Sequence, residues 1–144
     1  MRLLNAFTDK RMEAVIWRLH IERAKEDDPF LQRSARTLPP RRAIAKELRE
    51  RKHHRVYVIQ DKRRYLGVVQ IAKNNEVGVT IFQQYRSMGY GIKALALLLQ
   101  QERPIDGGRF KARIHPHNFR SIRMVEHLGF KHVSNLYELT GGAT

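Results

Sequence analysis

The spacing of apolar side chains divides the chain into helices and strands. Residues 2–7 are predicted to form a first strand. A helix is predicted from Thr8 or Asp9 to about Lys25, because four apolar residues recur there at helical spacing. Those four, predicted to be core residues, are Met12, Val15, Ile16 and Leu19. A second helix is predicted over residues 41–52, after a turn that two prolines mark.

Three strand-like runs follow, separated by short polar turns, and they predict an antiparallel meander. The runs are residues 56–59, 65–72 and 76–82. A densely apolar helix is predicted over 92–101, and alternation predicts a strand over 109–114. Because a helix joins the third and fourth of these strands, their connection is predicted to be a right-handed parallel crossover. A last strand is predicted over 135–139.

The turn between residue 82 and the apolar helix has the pattern Arg86-x-x-Gly89-x-Gly91. Glycine lets the backbone come close to a ligand because it has no Cβ. The unpaired N–H groups at the start of a helix favour negative charge. The pattern is neither a dinucleotide-binding turn nor a Walker loop. We therefore predict an anion site, for a phosphate or pyrophosphate, with an ordinary strand-to-helix turn as the alternative.

A second pattern lies downstream, Asn118-x-x-Ser121, followed after a short helix by Leu-Gly129-Phe130. Asn118 is predicted to cap that helix and Gly129 to end it. The order of the two patterns, with a strand between them, resembles the GNAT N-acetyltransferase superfamily. The resemblance runs from about residue 55 to residue 130, roughly half of the chain.

The resemblance implies a fold and a cofactor site. The fold would be α/β, in detail α+β: one domain over 1–144, with a mixed, mostly antiparallel central sheet flanked by helices and splayed at the acyl-CoA site. Backbone groups beside the splay would hold the pantetheine arm, and the loop amides would hold the pyrophosphate. The cofactor-binding residues so implied are Ile81, Phe82, Gln83, Arg86, Ser87, Met88, Gly89, Tyr90, Gly91, Asn118 and Ser121.

The resemblance also implies direct transfer of an acetyl group from acetyl-CoA to an amine in a ternary complex. Many members of the family have a tyrosine general acid seven residues after the motif's asparagine, and that position here is Val125. Glu76 and Tyr137 are the candidate catalytic residues that remain. A surface role for Glu76, a half-buried strand position for Tyr137, and water as the base stay open.

Charge and composition limit the classes of binding partner that the chain is expected to have. Twenty-eight Lys and Arg residues against fourteen Asp and Glu give a formal charge of +14, which attracts polyanions. Basic residues are densest over 33–64, where a solvated face and a patch for an acidic partner are both open interpretations. No cysteine is present, and His115 and His117 lack an obvious third ligand, so no metal is expected. No apolar run is long enough for a membrane span, and a cytoplasmic location is expected.

Two functions of different classes therefore compete. The first is an N-acetyltransferase whose acceptor is a small amine, a protein amine or an aminoacyl-tRNA. The second is a catalytically weak or inactive module on the same scaffold, which binds nucleic acid or another acidic partner through its basic surface. The sequence leaves the acceptor, the acyl chain and the choice between monomer and homodimer open.

Overall fold

The computed structural model of the chain describes residues 1–25, Lys46, 55–133 and 136–139. The strands in this part are β1 (Arg2–Asn5), β2 (Arg55–Asp61), β3 (Arg64–Ile71), β4 (Val77–Ile81), β5 (Lys111–Arg113), β6 (Phe130–His132) and β7 (Leu136–Leu139). The helices are α1 (Arg11–Ala24), α2 (Tyr90–Gln101) and α3 (Phe119–His127). The predicted helix over 41–52 falls outside the described residues, except for Lys46, which is helical.

The described strands form two antiparallel sheets. The first has the order β1-β2-β3-β4 and the second the order β5-β7-β6. The predicted meander is confirmed, whereas β6 was missed because three residues are too few to show alternation. The predicted parallel crossover is reduced to a single parallel bridge, between Glu76 and Lys111. Past that bridge β4 and β5 separate, so the sheet is split rather than continuous.

Helices cover the first sheet on opposite faces. On one face α1 buries the four predicted core residues, each no more than 6% exposed. On the other face α2 buries Ala94, Leu95, Leu98 and Leu99 against β3 and β4, in a core that also includes residues of β5 and β7. This second core is where the side chains of Val77, Val79 and Ile81 point, as the alternation along β4 predicts.

Asn75 fixes the point where the two sheets meet. It has the left-handed φ of 67° that its turn favours, and it is 7% exposed. Its side chain accepts a hydrogen bond from Ile105 N–H at 2.6 Å and donates to Ile105 C=O at 3.1 Å. Its own C=O accepts from Lys111 N–H at 3.0 Å. One residue thus ties the starts of β4 and β5 together, and the strands diverge from there.

A tyrosine–carboxylate pair at the end of α2 makes the fold sensitive to alkali. The Tyr57 hydroxyl donates to Glu102, which also pairs with Arg55 at 2.9 Å. Burial, together with this hydrogen bond and the charge of Glu102, raises the pKa of Tyr57 to about 12, from an ordinary 10.0. The folded state therefore holds the phenol proton more tightly than the unfolded state does.

We expect the stability that this proton contributes to be fully present below pH 10.0 and to be lost as the pH rises through about 12. Urea unfolding across this range measures it. The Tyr57→Phe variant lacks the titrating group, so its free energy of unfolding should fall less steeply with pH than that of the wild type. Parallel slopes for the two proteins would contradict the pairing.

Candidate functional site

The edge of β4 that faces β5 is open. On its other edge β4 pairs with β3, where Phe82 N–H donates to Leu66 C=O at 2.9 Å and Glu76 C=O accepts from Ala72 N–H at 2.8 Å. Antiparallel pairing alternates along a strand, so residues 78 and 80 also use their backbone groups toward β3.

The intervening residues of β4 present their backbone to the gap. By the same alternation the N–H and C=O groups of Val77, Val79 and Ile81 point away from β3. Across the gap β5 pairs with β7, and Lys111 turns its N–H toward β4 at the bridge. The splay that the resemblance implied is therefore present, with backbone donors and acceptors along one wall.

The end of the open edge is already contacted by side chains. Arg86 Nε donates to Ile81 C=O at 3.0 Å. Glu22 of α1 accepts from Gln83 N–H with both carboxylate oxygens, at 3.0 and 3.1 Å. Of the three backbone positions that the sequence assigned to the pantetheine arm, Ile81 faces the gap, Phe82 faces β3 and Gln83 faces α1. Their contact with a cofactor stays a prediction.

The glycine loop leads directly into α2. A short 3₁₀ turn over Gln83–Tyr85 follows β4, Ser87 has a φ of 63° and Gly89 a φ of 82°. Gly89 is the residue that caps α2, and no side chain caps the helix there. A Cβ at Gly89 would meet no atom within 4 Å, so the loop is open toward solvent. The first N–H groups of α2 are thus presented to an anion from outside.

Cationic and aromatic side chains surround this loop. The Arg64 guanidinium lies over the Tyr85 ring at 5.4 Å and over the Tyr90 ring at 6.0 Å, and it donates to the Tyr90 hydroxyl at 3.2 Å. Met88, inside the loop, is 58% exposed. Positive charge, free helix N–H groups and an exposed apolar side chain suit a pyrophosphate with an apolar arm. The residues present therefore fit acetyl-CoA.

The second sequence pattern serves α3 as predicted. Asn118 Oδ1 accepts from Ser121 N–H at 3.4 Å, which confirms Asn118 as the cap of α3. Gly129 follows the helix with a φ of 94°, which confirms its role in ending it. α3 meets the start of α2 where Met124 Sδ lies 3.8 Å from the Cβ position of Gly91. Contact of Asn118 or Ser121 with a cofactor stays a prediction.

The two candidate catalytic residues have different surroundings. Glu76 lies at the vertex of the splay, where its side chain accepts from Asn74 Nδ2 at 3.1 Å and pairs with Arg113 at 3.8 Å. Tyr137 is 5% exposed in the core, with its ring 5.0 Å from that of His132. Val125, where many relatives have tyrosine, is 2% exposed. The roles of Glu76 and Tyr137 stay predictions.

The described residues include no group of three or more side chains that could hold a metal ion. His115 and His117 lie side by side with their rings 5.4 Å apart, and His115 Nδ1 accepts from His117 N–H at 3.2 Å. The pair thus stabilises the turn before α3. In the same part of the chain no helix has the length and apolarity that crossing a membrane requires.

Sequence reasoning missed one group of residues at this site. Arg18 and Glu22 are one helical turn apart on α1, and both lie against the end of β4, where Arg18 stacks over Phe82 at 5.8 Å. Arg23 donates to Thr80 Oγ at 3.1 Å. The i,i+4 spacing of Arg18 and Glu22 was the available signal, since it places both on one face of the helix.

Three features are those expected of an acetyltransferase domain that uses acyl-CoA. They are a split sheet, an open strand edge at the split and a glycine loop at the start of a helix. The family model of the acetyltransferase (GNAT) domain matches residues 3–131. The chain therefore belongs to the GNAT family.

Solved structures show the same fold at low sequence identity. An acetyltransferase from Thermus thermophilus is 15% identical, with a TM-score of 0.69 over 95% of this chain and 94% of that one. A chimeric spermidine N-acetyltransferase from Vibrio cholerae is 12% identical, with a TM-score of 0.71 over 96% and 93%. A ribosomal protein L7/L12 α-N-protein acetyltransferase, in complex with coenzyme A, is 13% identical, with a TM-score of 0.67 over 94% and 91%. No curated protein matches this chain in sequence.

Proposed function

We propose that the chain is an N-acetyltransferase that moves an acetyl group from acetyl-CoA to an amine by direct attack in a ternary complex. The observation that carries this proposal is the open edge of β4 beside the glycine loop. The edge offers Val79 and Ile81 N–H groups to an amide-containing arm, and the start of α2 offers its N–H groups to a pyrophosphate. Acetyl-CoA would supply the activated thioester.

The backbone groups of the open edge would make the main contribution to catalysis. A backbone N–H aimed at the thioester oxygen stabilises the negative charge that develops there when the amine attacks. Glu76, Tyr137 or water is left to take the proton of the amine. Because Val125 cannot donate a proton, the thiolate would leave unprotonated or take its proton from solvent. The proposed rate enhancement therefore rests on positioning and on the oxyanion contact.

The acceptors named for similar structures are both amines, spermidine in one and a protein α-amine in the other. A small amine, a protein amine and an aminoacyl-tRNA all remain within the proposal, with the cytoplasm as the expected location. The test is release of free thiol from acetyl-CoA by the purified protein, over a panel that includes spermidine, amino acids and peptides with a free N-terminus. Thiol release that depends on an added amine supports the proposal.

A second function follows if acetyl-CoA binds but no amine releases thiol. The formal charge of +14 and the valine at position 125 favour a non-catalytic module that binds nucleic acid. Such binding should weaken steeply as salt increases, because Lys and Arg release counterions from phosphates. Salt-sensitive binding of nucleic acid without amine-dependent turnover would establish this function instead.

A further inference from the structure

A cavity of about 420 Å³ opens where β4 ends, on the face of the first sheet that α1 covers. Its walls come from three parts of the chain that are distant in sequence. They include Arg18 and Glu22 of α1, Arg63 of the β2–β3 turn with Arg64 at the start of β3, and Phe82 and Tyr85 of the segment after β4. The volume suits a small molecule rather than a macromolecule, since pockets for such ligands span about 300–1,000 Å³.

The wall of this cavity has more positively charged side chains than negatively charged ones. It contains three guanidinium groups and one carboxylate, that of Glu22. No carboxylate of the described residues pairs with Arg18 or Arg63, whereas Arg64 pairs with Asp61 at 3.4 Å. Arg18 is held over the Phe82 ring and Arg64 over the Tyr85 ring, contacts that orient a guanidinium without cancelling its charge. The cavity therefore suits an anionic group.

The single carboxylate of the cavity stands next to the open edge of β4. Both oxygens of Glu22 accept from Gln83 N–H, two residues beyond the last open position, Ile81. A carboxylate has about four acceptor positions, so Glu22 can still accept from an ammonium or amine. The cavity thus offers a site for an amine near the strand edge and a site for an anion around it.

We propose that this cavity binds the acceptor, and that the acceptor is a small amine with a carboxylate or phosphate close to its amino group. The inference rests on the proposed acetyltransferase function and names its substrate class. Glu22 holds the amine, and Arg18 and Arg63, which no described carboxylate neutralises, hold the anion. The neutral amine nitrogen attacks the acetyl carbon, so that the C–N bond forms and the C–S bond breaks. The proton that leaves the nitrogen balances the proton that the departing thiolate takes up from solvent.

The test compares two pairs of amines with and without the anionic group: phosphoethanolamine with ethanolamine, and glycine with glycinamide. Each kcat/KM is expressed per concentration of neutral amine, because the anionic group also raises the pKa of the amino group. With acetyl-CoA saturating, we expect kcat/KM to be at least about tenfold higher for the anionic member of each pair. The double variant Arg18→Gln/Arg63→Gln should remove most of that preference. Arg109→Gln is the control, because Arg109 is an exposed arginine just before β5, outside the cavity wall, and pairs with Glu138 at 3.7 Å. Preference for the neutral members, or an unchanged preference in the double variant, would overturn the proposal.

The Glu22→Gln variant tests whether Glu22 binds the amine or only stabilises the fold. The amide oxygen can still accept from Gln83 N–H, so the contact between α1 and β4 is kept. We expect kcat/KM to fall for both members of each pair, with the preference for the anionic member retained. An unchanged kcat/KM for both members would show that Glu22 does not act on the acceptor.

Two further readouts keep this inference distinct from the proposed function. The acetyl-CoA affinity of the double variant should equal that of the wild type, and a loss of affinity would assign the cavity to a phosphate of the cofactor instead. If no amine is acetylated, the proposed function fails, and phosphoethanolamine is titrated into the protein by NMR. Saturable shifts of the Phe82 and Tyr85 backbone amide signals that the double variant does not show would support an anion site. Their absence in the wild type would overturn it.

Discussion

Replacing Gly67 with alanine should cost the chain about 3 kcal/mol in free energy of unfolding. Gly67 lies on β3 opposite Ile81, with a φ of 156°. A Cβ there would lie 2.1 Å from the Thr80 carbonyl oxygen and 2.8 Å from Ile81 Cα. Both atoms belong to the backbone of β4 and cannot turn away, so β3 and β4 would have to separate at the candidate site.

Gly78→Ala is the matched control for this experiment. Gly78 lies on β4 in the same sheet, and its Cβ would meet only the Gln70 side chain, at 3.6 Å. That is ordinary contact, so this variant should match the wild type or gain up to about 1 kcal/mol, as alanine does over glycine inside a strand. Urea unfolding of the three proteins measures both effects. Equal stability of the two variants would contradict the packing of β3 against β4.

The second large effect concerns the glycine loop. Gly89→Glu should weaken acetyl-CoA binding at least about a hundredfold, because it adds negative charge at the helix start where the pyrophosphate is proposed to bind. The added Cβ would meet no neighbouring atom, so a loss of binding would not come from a packing clash. It would come from the negative charge of the glutamate and from its obstruction of the loop. Isothermal titration calorimetry with acetyl-CoA gives the dissociation constants.

Gly107→Glu is the control for this loop substitution. Gly107 also has a left-handed φ, 66° against 82° for Gly89, and its Cβ would also meet no atom within 4 Å. It lies in the turn before β5 instead of at the start of α2. Both variants therefore carry similar backbone strain and the same added charge, and only Gly89→Glu should lose acetyl-CoA. Equal affinity in the two variants would show that the loop does not hold the cofactor.

Much of the fold could be predicted because its determinants are local. Helical spacing identified the four residues that α1 buries, and alternation along β4 assigned its two faces. Asn118 and Gly129 act at the two ends of α3, where helix start and stop chemistry depends on a few adjacent residues. The glycine loop was found for the same reason, since strand, turn and helix follow one another directly.

The parts that could not be predicted depend on contacts between distant residues. The sheet splits next to Asn75, whose side chain forms two hydrogen bonds with the backbone of Ile105, thirty residues away. No local sequence pattern reveals a contact between residues so far apart. The charged cavity joins α1 to the β2–β3 turn and the end of β4, and Glu22 and Gln83 are sixty-one positions apart in the sequence. The alternation around Tyr137 indicated a strand, but its burial depends on packing against β5 and β6.

The central claim is that the open edge of β4 receives the acyl-CoA arm. Backbone amide exchange, followed by NMR with and without saturating acetyl-CoA, tests it residue by residue. We expect the Val79 and Ile81 amides to exchange quickly in the free protein and to become protected in the complex. Thr80 N–H points toward β3 and is the internal control, protected in both states. Val79 and Ile81 amides that still exchange quickly at saturation would contradict the account.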